Sequence, residues 1–513
     1  MDAVRPLTRG DAPFDTSGVA RDELGVAHYA GLPDSLVSMF RATVERDPGA
    51  EALVEVGRED VRPSYAQLWD RAARVAGGLA DEGVRPGDRV ANLLPAGLDW
   101  VVGFLGTQLA GAVAVPVNTR FAAPEIEYVL ADSGAAVVLR PGQPLPVGPP
   151  TSVDDRGPGD VAAIFYTSGT TGFPKGAMMT HENFLSNVET ALRVVGIDRS
   201  EGPGLRNLVS VPLFHVTGCN SQLLVQLAIG GSTVVLPAFD VRAFLHTIQR
   251  ERINQLVSVP AIYALALMQP DFASYDVGAV ARISYGGAPI APDLVRRITE
   301  HFPNAKVGNG FGLTETSSIA TYLPHEWAAT HADSVGFAAP VVDLALDATD
   351  RAGVGELLIR GPNVVAGYWN KPDVSGDTFV DGWLRTGDLA RVDEHGLVYV
   401  VDRAKDMINR GGENVYSVEV ENALAGAPGV ADAAVVGVPD DVLGEKVGAV
   451  LVRAPGAELD PHAVLGYLSQ RLADFKIPQY VVVRDTPLPR NPGGKILKRQ
   501  VRDETDWAAA LVG

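Results

Sequence analysis

The feature that most constrains this chain is a helix–turn–strand unit that recurs along its first half. Ser64 precedes an apolar stripe of Leu68, Ala72, Val75 and Leu79, the spacing of one face of an α-helix. Gln67, three residues after Ser64, completes a capping box. Gly83 and Pro86-Gly87 stop the helix, and residues 89 to 94 read as a strand. Such units recur to about residue 285 without a fixed repeat period. Alternation of this kind predicts an α/β fold with helices layered on largely parallel sheets.

Two long uncharged stretches run from Trp100 to Thr119 and from Leu213 to Phe239. Gln108, Pro116 and three glycines interrupt the first; Asn220, Ser221, Gln222, Gln226 and a Gly230-Gly231 turn interrupt the second. Each is expected to be a buried helix followed by a buried strand, with no membrane span. From Gly353 the texture changes to short strands, at 355–360 and 397–401. A charged, glycine-containing segment, AKDMINRGGENV, follows Asp402, and an α+β pattern lies beyond it. There Asp460 caps a helix with Pro461 at its first position and Val464, Leu465, Leu468 and Leu472 on one face. The expected division is a large N-terminal domain (1–404) of layered sheets and helices with a small β-rich subdomain, plus a small α+β C-terminal domain (405–513).

The net charge of −19 argues against nucleic acid or an anionic membrane as partner, since both need a cationic face. The lone cysteine, Cys219, excludes an internal disulfide and a cysteine-based zinc site. With no signal-peptide pattern in residues 1–18, a cytoplasmic location is expected. A homodimer is compatible with these features.

The strongest local signal is YTSGTTGFPKG from Tyr166, after the buried run 161–165. Thr167, Ser168, Gly169, Thr170, Thr171 and Gly172 are all small or hydroxylated. Glycines let the backbone bend around an oxyanion, and hydroxyls and amides donate to it. Lys175 adds a compact positive charge. A P-loop is rejected, because Gly176-Ala177 follow the lysine where that motif needs a Ser or Thr for Mg2+.

This loop resembles the phosphate-binding signature of the adenylate-forming superfamily, which includes acyl-CoA synthetases, peptide-synthetase adenylation domains and firefly-type luciferases. Further motifs follow in that superfamily's order, so the resemblance spans roughly residues 35 to 500. It implies ATP, Mg2+ and coenzyme A as cofactors and a small carboxylic acid as substrate. In PLFHVTG, the resemblance places His215 at the acyl pocket as a gate, with Val216, Thr217, Gly218 and Ser221 lining it. In YGGAPI, Tyr285 and Gly286 border the pocket, while Gly287, Ala288 and Pro289 turn against adenine. In NGFGLTETS, Asn309, Gly310, Phe311 and Gly312 flank the base, Thr314 contacts the α-phosphate and Glu315 holds Mg2+. Relatives more often carry Tyr where this chain has Phe311.

Asp388 of WLRTGDLA and Arg403 of DRAKDMI are the implied ribose partners, and Lys405 is the implied hinge of a mobile C-terminal domain. Lys495, in PRNPGGKILKR, is implied to enter for adenylation, and Gly411-Gly412 to line the pantetheine channel afterwards. None of the implied pocket residues is charged, which favours a neutral acyl or aryl acid. Small residues at 218, 221, 286 and 287 are expected to leave room for a large acyl chain. The alternatives are a ligase that loads a carrier protein in trans (no carrier domain follows Gly513), a luciferase-like oxygenase, and a half-reaction or disabled relative that binds acyl-AMP.

Overall fold

The structure is a computed structural model that describes residues 4–58, 61–167, 173–288, 290–350, 352–490 and 496–510. The chain forms two compact units. The first comprises Met1–Ala345, Leu358–Arg385 and Asp393–Val398; the second comprises Leu346–Leu357, Thr386–Val392 and Tyr399–Gly513.

The first unit contains two large sheets, besides a two-stranded one formed by Val19–Arg21 and Ala27–Tyr29. One has five strands in the order Val137–Leu139, Arg89–Asn92, Val113–Pro116, Val161–Thr167, Lys175–Thr180. The first four are parallel and the last is antiparallel to its neighbour. The other has eight strands, with Leu53–Glu55, Ser232–Val235, Arg206–Val209, Gln255–Ser258, Arg282–Gly286 and Lys306–Phe311 in parallel succession. Two antiparallel strands, Thr321–Leu323 and Phe337–Ala338, complete it. The α/β expectation therefore holds in its layers and in its strand direction.

Local signals translate into structure where they are short-range. The helix Tyr65–Asp81 starts at Ser64, whose hydroxyl accepts from the Gln67 amide while the Gln67 side chain accepts from the Ser64 amide. Leu68, Ala72, Val75 and Leu79 are all buried, as the stripe demands. The stretch from Trp100 becomes the buried helix Leu98–Leu109 and the strand Val113–Pro116. The stretch from Leu213 becomes Val216–Gly218, a π-helical turn at Cys219–Leu223, the helix Leu224–Ile229 and the strand Ser232–Val235. Among the described residues no helix is long and apolar enough to cross a membrane.

The second unit carries a five-stranded sheet of its own. Its order is Glu413–Val415, Ile408–Arg410, Gly444–Arg453, Val430–Asp440, and Tyr480–Arg484 adds parallel to Gly444–Arg453. The helix Pro461–Ser469 is capped by Asp460, whose carboxylate accepts from the His462 amide at 3.0 Å. Val464 and Leu468 are fully buried against Val435, Val447 and Ala449, with Leu465 and Leu472 packed at the edge of that core.

Candidate active site

The strand Val161–Thr167 is anchored by its buried centre, Ala162 to Phe165, and by the Tyr166 hydroxyl, which donates to Asp132 at 2.7 Å. Its neighbour Lys175–Thr180 runs antiparallel, so Thr167 lies opposite Lys175 in register. Ser168, Gly169, Thr170, Thr171 and Gly172 lie outside the described residues.

Lys175 does not stand in open solvent. Its ammonium sits 4.4 Å from the ring centroid of Tyr368, a cation–π arrangement. The Tyr368 hydroxyl donates to Glu315 Oε1 at 2.6 Å. Two motifs read separately, the phosphate loop and NGFGLTETS, thus meet on one aromatic side chain. Burial and the Glu315 charge both push the Tyr368 phenol up, so it remains the donor in this bond. Glu315 is half-buried, not a solvated surface acid.

Thr314–Thr316 forms a single 3-10 turn. After it Ser317 and Ser318 take φ of 54° and 118°, a region costly for residues with a Cβ. The Asn363 amide holds this turn by donating to the carbonyls of Thr316 and Ile319 at 3.2 and 3.1 Å. Asn309 is committed to structure, its amide donating to the Ser334 carbonyl at 3.0 Å. Phe311, the last residue of its strand, is half-buried.

The π-helical turn brings the predicted pocket segment to the same place. The Asn220 amide donates to the Ser317 carbonyl at 2.8 Å, and the Ser221 and Ser318 hydroxyls are 2.7 Å apart. His215 lies half-buried against the Phe214 ring, centroids 4.8 Å apart, just before Val216 and Thr217. Tyr285 is fully buried, and burial pushes its phenol up.

The expectation that glycines here leave room for substrate is corrected. A Cβ on Gly218 would sit 2.4 Å from the Pro212 carbonyl oxygen, and one on Gly286 would sit 2.2 Å from that of Gly310. Their smallness serves backbone packing. Gly287 differs: its φ is +74° and only Val259 approaches the Cβ position, at 3.8 Å. Ala288 is exposed, and Pro289 lies outside the described residues.

In the second unit Asp388 and Arg403, also from separate motifs, form a direct ion pair at 2.5 Å. Asp388 is buried, and its amide donates to Thr386 Oγ1 at 3.0 Å, whose hydroxyl in turn donates to the Leu357 carbonyl at 2.7 Å. Lys405 is exposed two residues beyond Arg403. Gly411 and Gly412, with φ of 62° and 92°, form the two-residue turn of the hairpin that pairs Arg410 with Glu413. Two left-handed residues in such a turn account for a glycine pair. Lys495 lies outside the described residues.

Sequence reading missed two groups. Tyr368 is one; its partners are 53 and 193 residues away, and no local pattern marks it. The other is a buried network in the second unit. Asp402 accepts from the Ser417 amide and hydroxyl, and Lys498 reaches Ser417 Oγ at 2.6 Å and Glu421 at 2.8 Å. Burial raises the pKa of both Asp402 and Glu421.

Metal chemistry is compatible with this donor set. Among the described residues no three His, Cys, Asp or Glu side chains cluster as a metal cage. Glu315 offers a hard carboxylate oxygen of the kind Mg2+ takes when phosphates and water complete its shell.

Known proteins place the chain. The AMP-binding enzyme family model matches residues 40–153 and 142–369, and that of the AMP-binding enzyme C-terminal domain matches 419–495. A feruloyl-CoA synthase of Amycolatopsis is 38% identical over 464 residues, covering 86% of this chain and 93% of the relative. A long-chain-fatty-acid–CoA ligase of Mycobacterium tuberculosis is 36% identical over 498 residues, covering 90% and 97%. Among solved structures, the o-succinylbenzoate CoA synthetase of Bacillus subtilis in complex with its acyl-adenylate superposes with a TM-score of 0.83 at 29% identity, covering 91% of this chain and 98% of that one. With this fold, these ordered motifs and these relatives, the chain belongs to the AMP-binding enzyme family.

Proposed function

We propose that this protein activates a neutral acyl or aryl carboxylic acid with ATP, releasing pyrophosphate, and transfers the acyl group from acyl-AMP to the thiol of coenzyme A, releasing AMP. The observation that carries this reading is the meeting of Lys175 and Glu315 on Tyr368, which joins a phosphate-binding lysine to a metal-binding acid.

The chemical problem is the attack of one anion on another. The substrate carboxylate oxygen forms a bond to the α-phosphorus as the bond to pyrophosphate breaks. Lys175 lowers the negative charge on the phosphates, and the Thr314 hydroxyl contacts the α-phosphate, so repulsion is offset before attack. Mg2+, when bound at Glu315, supplies further neutralisation of the phosphate oxygens. Asp388, held by Arg403, accepts from the ribose hydroxyls. Lys495 bridges the carboxylate and the α-phosphate during this first step. In the second step the thiol attacks the acyl carbonyl and AMP departs with the electron pair of the broken C–O bond. No protein nucleophile is needed. Gly411 and Gly412 are assigned to the pantetheine path, and Lys405 to the pivot between domains 1–404 and 405–513.

The acid is assigned to an uncharged pocket formed by His215, Val216, Thr217, Ser221 and Tyr285. The relatives named for ferulate and for long-chain fatty acids set the range to explore. The test is an acid panel of hydroxycinnamates, simple aryl acids and fatty acids, scored first for pyrophosphate with ATP alone and then for thioester with coenzyme A. Both signals with the same acid are expected. Pyrophosphate without thioester would redirect the second step to a carrier protein, and silence with every acid would overturn the reading.

A further inference from the structure

We propose that Tyr368 is a positioning residue for adenylation, its hydroxyl fixing the Glu315 carboxylate and its ring face holding the Lys175 ammonium at a set distance from that acid. The inference rests on the functional reading above, because it concerns how Glu315 and Lys175 are presented.

The backbone around Tyr368 is fixed on both sides of the site. The Met178 amide donates to the Gly367 carbonyl at 2.9 Å, and the Trp369 amide to the Gly176 carbonyl at 2.7 Å, so the segment runs along the strand that carries Lys175. The Val365 amide donates to the Glu315 carbonyl at 2.9 Å, so the same segment also grips the turn that carries the acid. Tyr368 itself is only 4% exposed, its amide donates to Ser375 Oγ at 2.9 Å, and its ring meets Phe379 edge-on at 5.5 Å. The buried ring, packed against Phe379 and Lys175, sets its hydroxyl on Glu315.

The arrangement has an electrostatic purpose. A carboxylate and an ammonium in one cleft attract, and a direct ion pair would use up both charges before any ligand arrived. The ring gives Lys175 a weaker partner, a π face from which phosphates can draw it away. The hydroxyl takes one oxygen of Glu315 through a bond that orients the other. Tyr368 thus keeps the carboxylate and the ammonium both available and both placed. It touches neither reacting atom.

Tyr368→Phe keeps the ring and removes the hydroxyl's bonds to Glu315 and to Thr378. Pyrophosphate release should fall about tenfold, in the range for a lost preorganising contact. The gain in ATP affinity that Mg2+ brings, measured by calorimetry without the acid, should shrink severalfold. Thioester formation from supplied acyl-AMP and coenzyme A should stay within about twofold, and the melting temperature should be nearly unchanged. In a Glu315→Ala background the same substitution should cost less than about twofold, since the acceptor of the bond is already gone. Equal loss in both half-reactions, an unchanged Mg2+ effect on ATP affinity, or an undiminished cost in the Glu315→Ala background would each overturn the proposal. A wild-type protein that releases no pyrophosphate with any acid would sink the functional reading, and the calorimetric comparison would still decide the role of Tyr368.

Discussion

One pair of opposite charges in each unit is handled in an opposite way. In the first, Lys175 and Glu315 share a tyrosine that touches both. In the second, Asp388 and Arg403 are in direct contact, with the acid buried. The first arrangement suits a highly charged ligand, because its charges are held in reserve. The second suits a neutral ligand such as a sugar hydroxyl, because the carboxylate is already neutralised and offers only its acceptor geometry. The proposed triphosphate and ribose roles of these pairs therefore use similar side chains, distinguished by what lies between them.

The largest expected effect concerns a third charge, Lys495, proposed for the first step alone. Lys495→Ala should lower pyrophosphate release by about 10²–10³-fold while sparing thioester formation from supplied acyl-AMP. Equal loss of both steps would overturn a role confined to adenylation.

The next concerns how each unit answers to pH. His181 is buried, the Leu36 amide donates to its Nδ1 at 3.2 Å, and burial pushes its pKa down from 6.5 to about 4, with Asp160 opposing and Arg156 reinforcing the shift. A depressed histidine pKa gives stability that is complete above the unfolded value and is lost as pH falls from 6.5 toward 4, here by up to about 3 kcal/mol. Asp402 and Glu421 run the other way. Burial raises their pKa values, so their contribution is complete at low pH and is lost as pH rises through their folded values. Hydrogen exchange followed separately in each unit should show the first weakening on acidification, and His181→Asn should flatten that slope. Parallel pH dependence in both units would break the contrast.

The smallest effect probes the direct pair. Asp388→Asn keeps the shape but leaves Arg403 without a counter-charge. Pyrophosphate release at low ATP should fall about tenfold, mainly through a raised KM for ATP, as for loss of a charge-assisted contact. A change confined to kcat would argue against a ribose-binding role.

Legibility in the sequence followed range. The Ser64 box, the Asp460 cap and the buried helix–strand pairs depend on neighbours a few residues away, and periodicity displays them. Motifs marked by unusual composition, such as the Ser/Thr/Gly run and the LTETS turn, were also visible. Tyr368 was not, because its meaning comes from partners on distant strands. The glycines at 218 and 286 misled for the same reason: a missing side chain signals either an open space or a close backbone, and only the neighbour decides which. The π-helical turn has no hydropathy signature, since its residues mix apolar Cys219 and Leu223 with polar Asn220, Ser221 and Gln222, all buried, as a buried α-helical turn could equally do.

That turn has a consequence for how the chain can vary. A π-turn is in effect an α-helix carrying one added residue. Deleting a single residue within Cys219–Leu223 would restore regular winding and change which side chains the turn itself presents, while the flanking helix keeps its phase. Ser221 would then swing away from Ser318, and the wall between the acyl segment and the LTETS turn would be rebuilt from different side chains. Length variation of one residue at this point thus alters the Ser221–Ser318 contact without touching the strands that carry Lys175 and Phe311.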